Sequence, residues 1–284
     1  MRFGFHLSVA GGPQRAAREA QELGLDCLQV FAGNPRGWRH KALDMEQAEE
    51  FRRRCRRAGL DPVVVHAPYL LNLASPDDQL WQKSIAALAQ QMERAEQLGA
   101  AAVVVHPGSR RQRGLEWGLA RVARGVARAL EQSGGRVECW LENTAGGGGQ
   151  VGGTLVQLAR ILEQLPGAPV ALCLDTAHAW GAGYHLEGPR ELARFLDRVE
   201  VLLGLERVRL WHLNDSLAPR GSHRDQHTHL GRGRLGVEGF RAIVAEPRLQ
   251  DAAFIMETPK DRPGADQRNL DFLRRLASAS SRNS

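Results

Sequence analysis

The patterning of this chain predicts an α/β protein closed into a (β/α)8 TIM barrel. Three observations carry that reading. Short runs rich in Val, Leu and Ile recur eight times along the 284 residues, as expected for strands buried on both faces. Each run is followed by an amphipathic stretch with helical spacing, and no linker interrupts the alternation. Most of the runs also end on His, Asp or Glu, where barrel strands open onto a C-terminal rim. An open doubly wound sheet would usually have fewer strands and one ligand crevice rather than a ring. The barrel domain is assigned residues 1–278, and 279–284 read as a disordered tail.

The first unit is a strand over 3–9 and a helix over 13–23, and His6 lies toward that strand's end. His6 reads equally as a support for a site or as a packed histidine. The second unit has a strand over 25–32 and a helix over 45–58. Arg52, Arg53, Arg54, Arg56 and Arg57 make that helix densely basic, which reads as a solvated outer face. The third strand, 62–68, runs VVVHAP through His66 and precedes a helix over 77–98. The fourth, 101–108, runs AVVVHPG through His106 and precedes a helix over 115–132. The fifth, 137–144, reads CWLENT through Glu142. Four glycines follow at 146–149, but no G-K-[ST] does, so they read as a flexible loop before a helix over 154–164. The sixth strand, 170–178, carries Asp175 and His178 and leads to a helix over 190–203. The seventh, 207–215, carries His212, and a long polar loop separates it from a helix over 237–244. The eighth, 252–259, carries Glu257 and precedes a helix over 265–277. Gly24, Gly59, Gly99 and Gly204 stand at or near helix ends, where a left-handed cap favours glycine.

Composition narrows the function classes. The net charge of +6 and pI near 9.7 suit a polyanionic partner, as a weak signal only. The cysteines, Cys27, Cys55, Cys139 and Cys173, form no C-x-x-C pair, which argues against a thiolate zinc site or a redox motif. Three of them sit in apolar runs and read as small core residues. No signal sequence opens the chain, and no apolar run approaches the ~20 residues of a membrane helix, so a cytoplasmic protein is expected. Gly231, Gly233 and Gly236 match G-x-G-x-x-G, but after a polar loop rather than a strand. No nucleotide cofactor is therefore expected.

The strand ends carry the chemistry. His66, His106, Glu142, Asp175, His212 and Glu257 would converge on one rim, and imidazoles with carboxylates are the donors that zinc or manganese takes. These are enough ligands for more than one ion, and Glu142, mid-series, is placed to bridge two. Asp225 and His227 form a D-x-H pair whose side chains point the same way in an extended segment. His178, three residues past Asp175, is within reach of the same ion. The segment 221–236 is rich in Arg, His and Gly, as a phosphate-facing surface would be. His40, His185, His223 and His229 read as surface or loop histidines. No Ser-His-Asp or Cys-His arrangement stands out.

An ordered set of motifs then becomes specific: HLSVAGG from His6, FAGNPRGW from Phe31, HAPYLLNLAS from His66, HPGS from His106 and LENTAGGGG from Leu141. CLDTAHAWGAGY from Cys173, HLNDS from His212, GSHRDQH from Gly221, LGRGRLG from Leu230 and METP from Met256 complete it. Over nearly its whole length the chain resembles the endonuclease IV family of apurinic/apyrimidinic endonucleases. The resemblance implies three Zn2+ ions; the donor types also admit Mn2+ as a substitute, where availability decides. It implies that His66, His106 and Glu142 hold one ion. Glu142, bridging, would hold a second with Asp175, His212 and Glu257, and His178, Asp225 and His227 would hold the third. It further implies hydrolysis of the phosphodiester 5′ to an abasic site in double-stranded DNA, leaving a 3′-hydroxyl, with trimming of blocked 3′ ends. Metal-bound hydroxide would attack the phosphate in line, oriented by Glu257 or Glu142. Arg36 and Tyr69 would insert into the duplex at the missing base, while Trp38 reads as packing. The loop departs from the family pattern at Gln226, where a basic residue is usual, and at Thr228, where a second histidine is common. A monomer is expected. The nearest rival is a metal-dependent sugar isomerase or epimerase on the same barrel, which needs no third cluster. A zinc protein that binds DNA without chemistry is the other.

Overall fold

The computed structural model describes residues 1–38 and 41–280, so His40 and residues 281–284 lie outside the description. Among the described residues ten strands follow one another: β1 (Arg2–Leu7), β2 (Cys27–Phe31), β3 (Val63–His66), β4 (Ala102–Val105), β5 (Glu138–Glu142), β6 (Val170–Asp175), β7 (Val208–His212), β8 (Asp215–Ser216), β9 (His227–Thr228) and β10 (Ala253–Met256). All but β8 and β9 are parallel and close into an eight-stranded barrel. Each barrel strand pairs with its neighbours in chain order, and β1 closes the ring by pairing with both β2 and β10. Between them run α1 (Pro13–Leu23), α2 (Met45–Ala58), α3 (Asp78–Leu98), α4 (Leu115–Ser133), α5 (Leu155–Leu162), α6 (Thr176–Gly181), α7 (Pro189–Leu203) and α8 (Gly236–Ala245), with α9 (Ala265–Ser280) last.

Side-chain parity divides the strands between two cores. Val63, Val65, Val103, Val105, Leu141 and Leu172 face outward and pack with the helices in the larger apolar cluster. Cys27, Val64, Val104, Trp140, Cys173, Leu210 and Ile255 face inward and fill the barrel. The helices start where capping chemistry allows. Asp44 and Asp77 accept from the first backbone N–H groups of α2 and α3, and Thr154 does so for α5. Gly24, Gly59 and Gly99 close α1, α2 and α3 in the left-handed conformation, whereas Gly204 ends α7 with ψ of 120° and continues into a 3-10 turn.

Four features differ from the sequence reading. The strands stop earlier than the apolar runs do, because the rim residues turn away to form loops. His178 lies on α6 and not on the sixth strand, because Asp175 caps a helix there by accepting from the His178 N–H at 2.8 Å. The polar loop after β7 contains the small antiparallel pair of β8 and β9. The last helix continues through Ser280, so Ala279 and Ser280 are helical rather than part of a disordered tail. All four cysteines are free and buried, and no helix among the described residues is long and apolar enough to cross a membrane.

Candidate metal centre

The parity that fills the barrel also builds its mouth. Val64, Trp140, Cys173, Leu210 and Ile255 point inward, so the residues two further along, His66, Glu142, Asp175, His212 and Glu257, point inward as well, one layer higher. Val104 does the same for His106, just past the end of β4. Chain segments from six strands thus deliver six donors to the C-terminal face. His66, Glu142, Asp175 and His212 are almost completely buried there.

Glu142 is the hub. Its Oε2 lies 3.1 Å from His66 Nε2 and 3.5 Å from His106 Nε2. Its Oε1 lies 3.1 Å from His212 Nδ1 and 3.2 Å from His178 Nδ1. His212 Nδ1 is also 3.5 Å from Glu257 Oε2 and 4.0 Å from Asp175 Oδ2. Three groups of donors result, each with its atoms within 4.8 Å of one another: His66, His106 and Glu142; Glu142, Asp175, His212 and Glu257; and Asp175, His178 and His227. Asp225 approaches the third group from its more exposed side, 3.0 Å from His227 Nε2 and 3.3 Å from His178 Nε2. The hairpin of β8 and β9 explains how His227, fifteen residues past His212 in the chain, returns to the mouth.

Several observations fit cations at these positions. Tetrahedral zinc with ligand bonds of about 2.0–2.1 Å separates its donors by about 3.3 Å, close to the spacing found around Glu142. The buried nitrogens His178 Nδ1 and His227 Nε2 make no hydrogen bond, although carboxylate oxygens lie 3.2 and 3.0 Å away. His66 Nδ1 is 2.7 Å from the carbonyl of Ala67, so Nδ1 donates and Nε2 is left for the cluster. The electrostatics agree. Burial lowers the affinity of His178 for a proton, but Asp175, Asp225 and Glu142 outweigh it and hold the imidazole well above its ordinary pKa. For His227 the same contest, dominated on the raising side by Asp225 and Asp175, ends at about 9. His106, with burial winning, falls to about 4. The carboxylates retain protons on the imidazoles where positive charge is wanted, and divalent ions would supply that charge instead.

Residues that support the donors complete the site, and sequence reasoning missed most of them. Asn214 donates from Nδ2 to Asp175 Oδ2 at 2.7 Å and accepts from the backbone N–H of Glu257 at 2.8 Å. Asn143 binds the Asp175 backbone in both directions, accepting at 2.6 Å and donating at 3.1 Å. Gln29, fully buried in β2, contacts both His212 and Glu257. Its signal was present: one amide inside CLQVF, a strand buried on both faces, needs polar partners. His6 lies 3.1 Å from Glu257 Oε1, so it belongs to this network.

Around the mouth, Arg36 is exposed on the loop after β2. Tyr69 follows β3 and is 63% exposed, with its ring 5.5 Å from that of Phe31 and 5.6 Å from that of His66. Trp38 packs against the core beneath Lys83. His223 bonds to the carbonyl of Ala145, His185 pairs with Glu187, and His229 pairs with Asp261, so none of these histidines enters the donor groups. Arg52, Arg53, Arg54 and Arg56 of α2 pair with Glu49 or Glu50 on the outer face.

Comparison with known proteins adds to this geometry. A family model described as a xylose isomerase-like TIM barrel matches residues 17–276. A probable endonuclease 4 of Chloroflexus aurantiacus is 43% identical over 278 residues, 97% of this chain and 98% of that protein. An endonuclease 4 of Thermus thermophilus is 44% identical, over 96% and 97% respectively. The crystal structure of an endonuclease IV from Thermus thermophilus superposes with a TM-score of 0.88 at 42% identity, covering 98% of this chain and all of that one. A D-tagatose 3-epimerase-like protein also superposes, with a TM-score of 0.75 but 19% identity, which is a likeness of fold alone.

Proposed function

The chain belongs to the endonuclease IV family, and from that premise we propose that its rim hydrolyses the phosphodiester on the 5′ side of abasic sites in double-stranded DNA, leaving a 3′-hydroxyl. The protein is a DNA-cleaving hydrolase of DNA repair. The same centre would trim blocked 3′ ends. The observation that supports this most is the hub at Glu142, whose two oxygens each face a different pair of imidazoles.

We assign His66, His106 and Glu142 to one Zn2+, Glu142, Asp175, His212 and Glu257 to a second, and His178, Asp225 and His227 to a third, with Mn2+ as the substitute. When bound, such ions supply charge neutralisation at phosphoryl oxygens and acidify water. The protein's own part is orientation and proton placement. Glu257 keeps Oε1 engaged with Gln29 and His6 and turns Oε2 toward the centre. Burial raises its pKa, yet His212 and His6 outweigh that and keep it ionised, so Oε2 is available to accept a proton from the attacking water. Arg36 and Tyr69, exposed beside the mouth, are assigned to the gap left by the missing base, where little stacking is lost on insertion. The donor set is complete within one chain, so a monomer suffices.

The sugar isomerase reading gains only the barrel from the structural likeness, and the third donor group around His178 and His227 is unneeded there. The direct test is a duplex oligonucleotide with one abasic site, incubated with zinc-loaded protein. The expected product is a single nick that a polymerase extends, abolished by chelation and restored by zinc. Intact duplex after prolonged incubation with zinc-loaded protein would reject the proposal.

A further inference from the structure

One buried amide ties together two of the ligands assigned to the second ion. Gln29 lies at the inward parity of β2, two residues past Cys27, and is fully buried. Its Nε2 is 2.7 Å from Glu257 Oε1, and its Oε1 is 2.9 Å from His212 Nε2. An ionised carboxylate only accepts hydrogen bonds, so the NH2 end of the amide must face Glu257. The carbonyl end is then left for His212. A carbonyl also only accepts, so His212 carries a proton on Nε2 and donates it. The nitrogen that His212 turns to the cluster is therefore Nδ1, 3.1 Å from Glu142 Oε1 and 3.5 Å from Glu257 Oε2.

We propose that Gln29 is a positioning residue for the second metal: through one amide it fixes which nitrogen of His212 and which oxygen of Glu257 are offered together. Gln29 touches neither the assigned ion nor the scissile phosphate. The inference rests on the metal assignment made above. Outer partners of this kind typically change metal affinity by about 10- to 100-fold when lost.

Methionine has a similar shape without the amide, so Gln29→Met keeps the barrel filled and removes only the hydrogen bonds. Gln29→Glu separates the two halves, because a carboxylate still accepts from His212 but no longer donates to Glu257. Each protein would be labelled with 15N-histidine, loaded with zinc and titrated with a competing chelator, with thermal melts as a check on folding. In the native protein the His212 Nε2–H resonance should be present and three ions retained. In Gln29→Met that resonance should be lost, and one ion should leave at about 10- to 100-fold lower chelator strength. In Gln29→Glu the resonance should persist while the same ion weakens, and this variant carries the test if the methionine one does not fold. A Gln29→Met protein that keeps the resonance and native zinc affinity overturns the inference and leaves the metal assignment standing. A native protein that binds no zinc overturns both.

Discussion

Glu257 is the residue whose chemistry separates a catalytic carboxylate from a merely structural one. Its Oε1 is committed to Gln29 and His6, and only Oε2 faces the centre. Glu257→Gln would preserve the shape, but its amide offers one accepting oxygen where the carboxylate offers two, and it accepts a proton far less readily. The expected outcome is a folded protein that binds abasic duplex with near-native affinity and cleaves it roughly 10²- to 10⁴-fold more slowly, the range for loss of a general base. Single-turnover cleavage together with a binding titration would show it. Native turnover by the variant would remove Glu257 from the proton-accepting role. Glu142 is different, because its two oxygens serve two donor groups at once, so its loss would disturb the centre before it disturbed the chemistry.

At the scale of elements, the loop after β5 determines how two others are seated. A Cβ on Gly147 would lie 2.4 Å from the carbonyl oxygen of His223, and one on Gly149 would lie 2.6 Å from that of Arg111. The His223 loop leads within two residues to Asp225 and then to His227. Gly147 has no positive φ, whereas Gly148 has φ of 56° and open space around it. Gly147→Ala should therefore act by displacement, costing about 1–3 kcal/mol as an overpacked contact does, and should loosen the donor group of His178 and His227 first. Gly148→Ala should strain only its own backbone and leave metal content unchanged. Metal analysis beside thermal melts of the two variants distinguishes them, and equal metal loss in both would contradict the argument. The same loop shows what a sequence reveals. The barrel and the strand-end donors were legible because a period of two ties His66 to Val64 and Glu142 to Trp140, and a strand cannot change one without the other. The hairpin that returns His227 was not, since Asp215 is held by the backbone N–H groups of Ser216, Gly233 and Leu235 and no local pattern announces that contact. The four glycines read as a flexible loop, and in the fold Gly146 and Gly147 lie close against His223 and Gly149 against Arg111, while Gly148 faces open space.

Taken whole, the molecule carries a formal charge of +6, yet its mouth concentrates Glu142, Asp175, Asp225 and Glu257. Without cations those carboxylates are offset only by the imidazolium charge on residues such as His178 and His227, so loading should make the mouth more positive and matter for DNA binding as well as for cleavage. It should matter less for folding. The two apolar clusters that hold strands to helices and fill the barrel contain none of the donors, so the metal-free chain should remain a folded barrel. Its stability should nevertheless fall by mass action. An ion present at a thousandfold its dissociation constant adds about 4 kcal/mol, and each kcal/mol shifts the melting temperature of a domain this large by roughly 2 °C. Chelation should therefore lower the melting temperature by about 8 °C for each such ion lost, with a single cooperative transition retained and near-native far-ultraviolet dichroism below it. Binding of abasic duplex should weaken in parallel. A chelated protein with an unchanged melting temperature would mean that the donors hold their geometry without ions, and one that loses its dichroism at room temperature would mean that the ions hold the barrel itself.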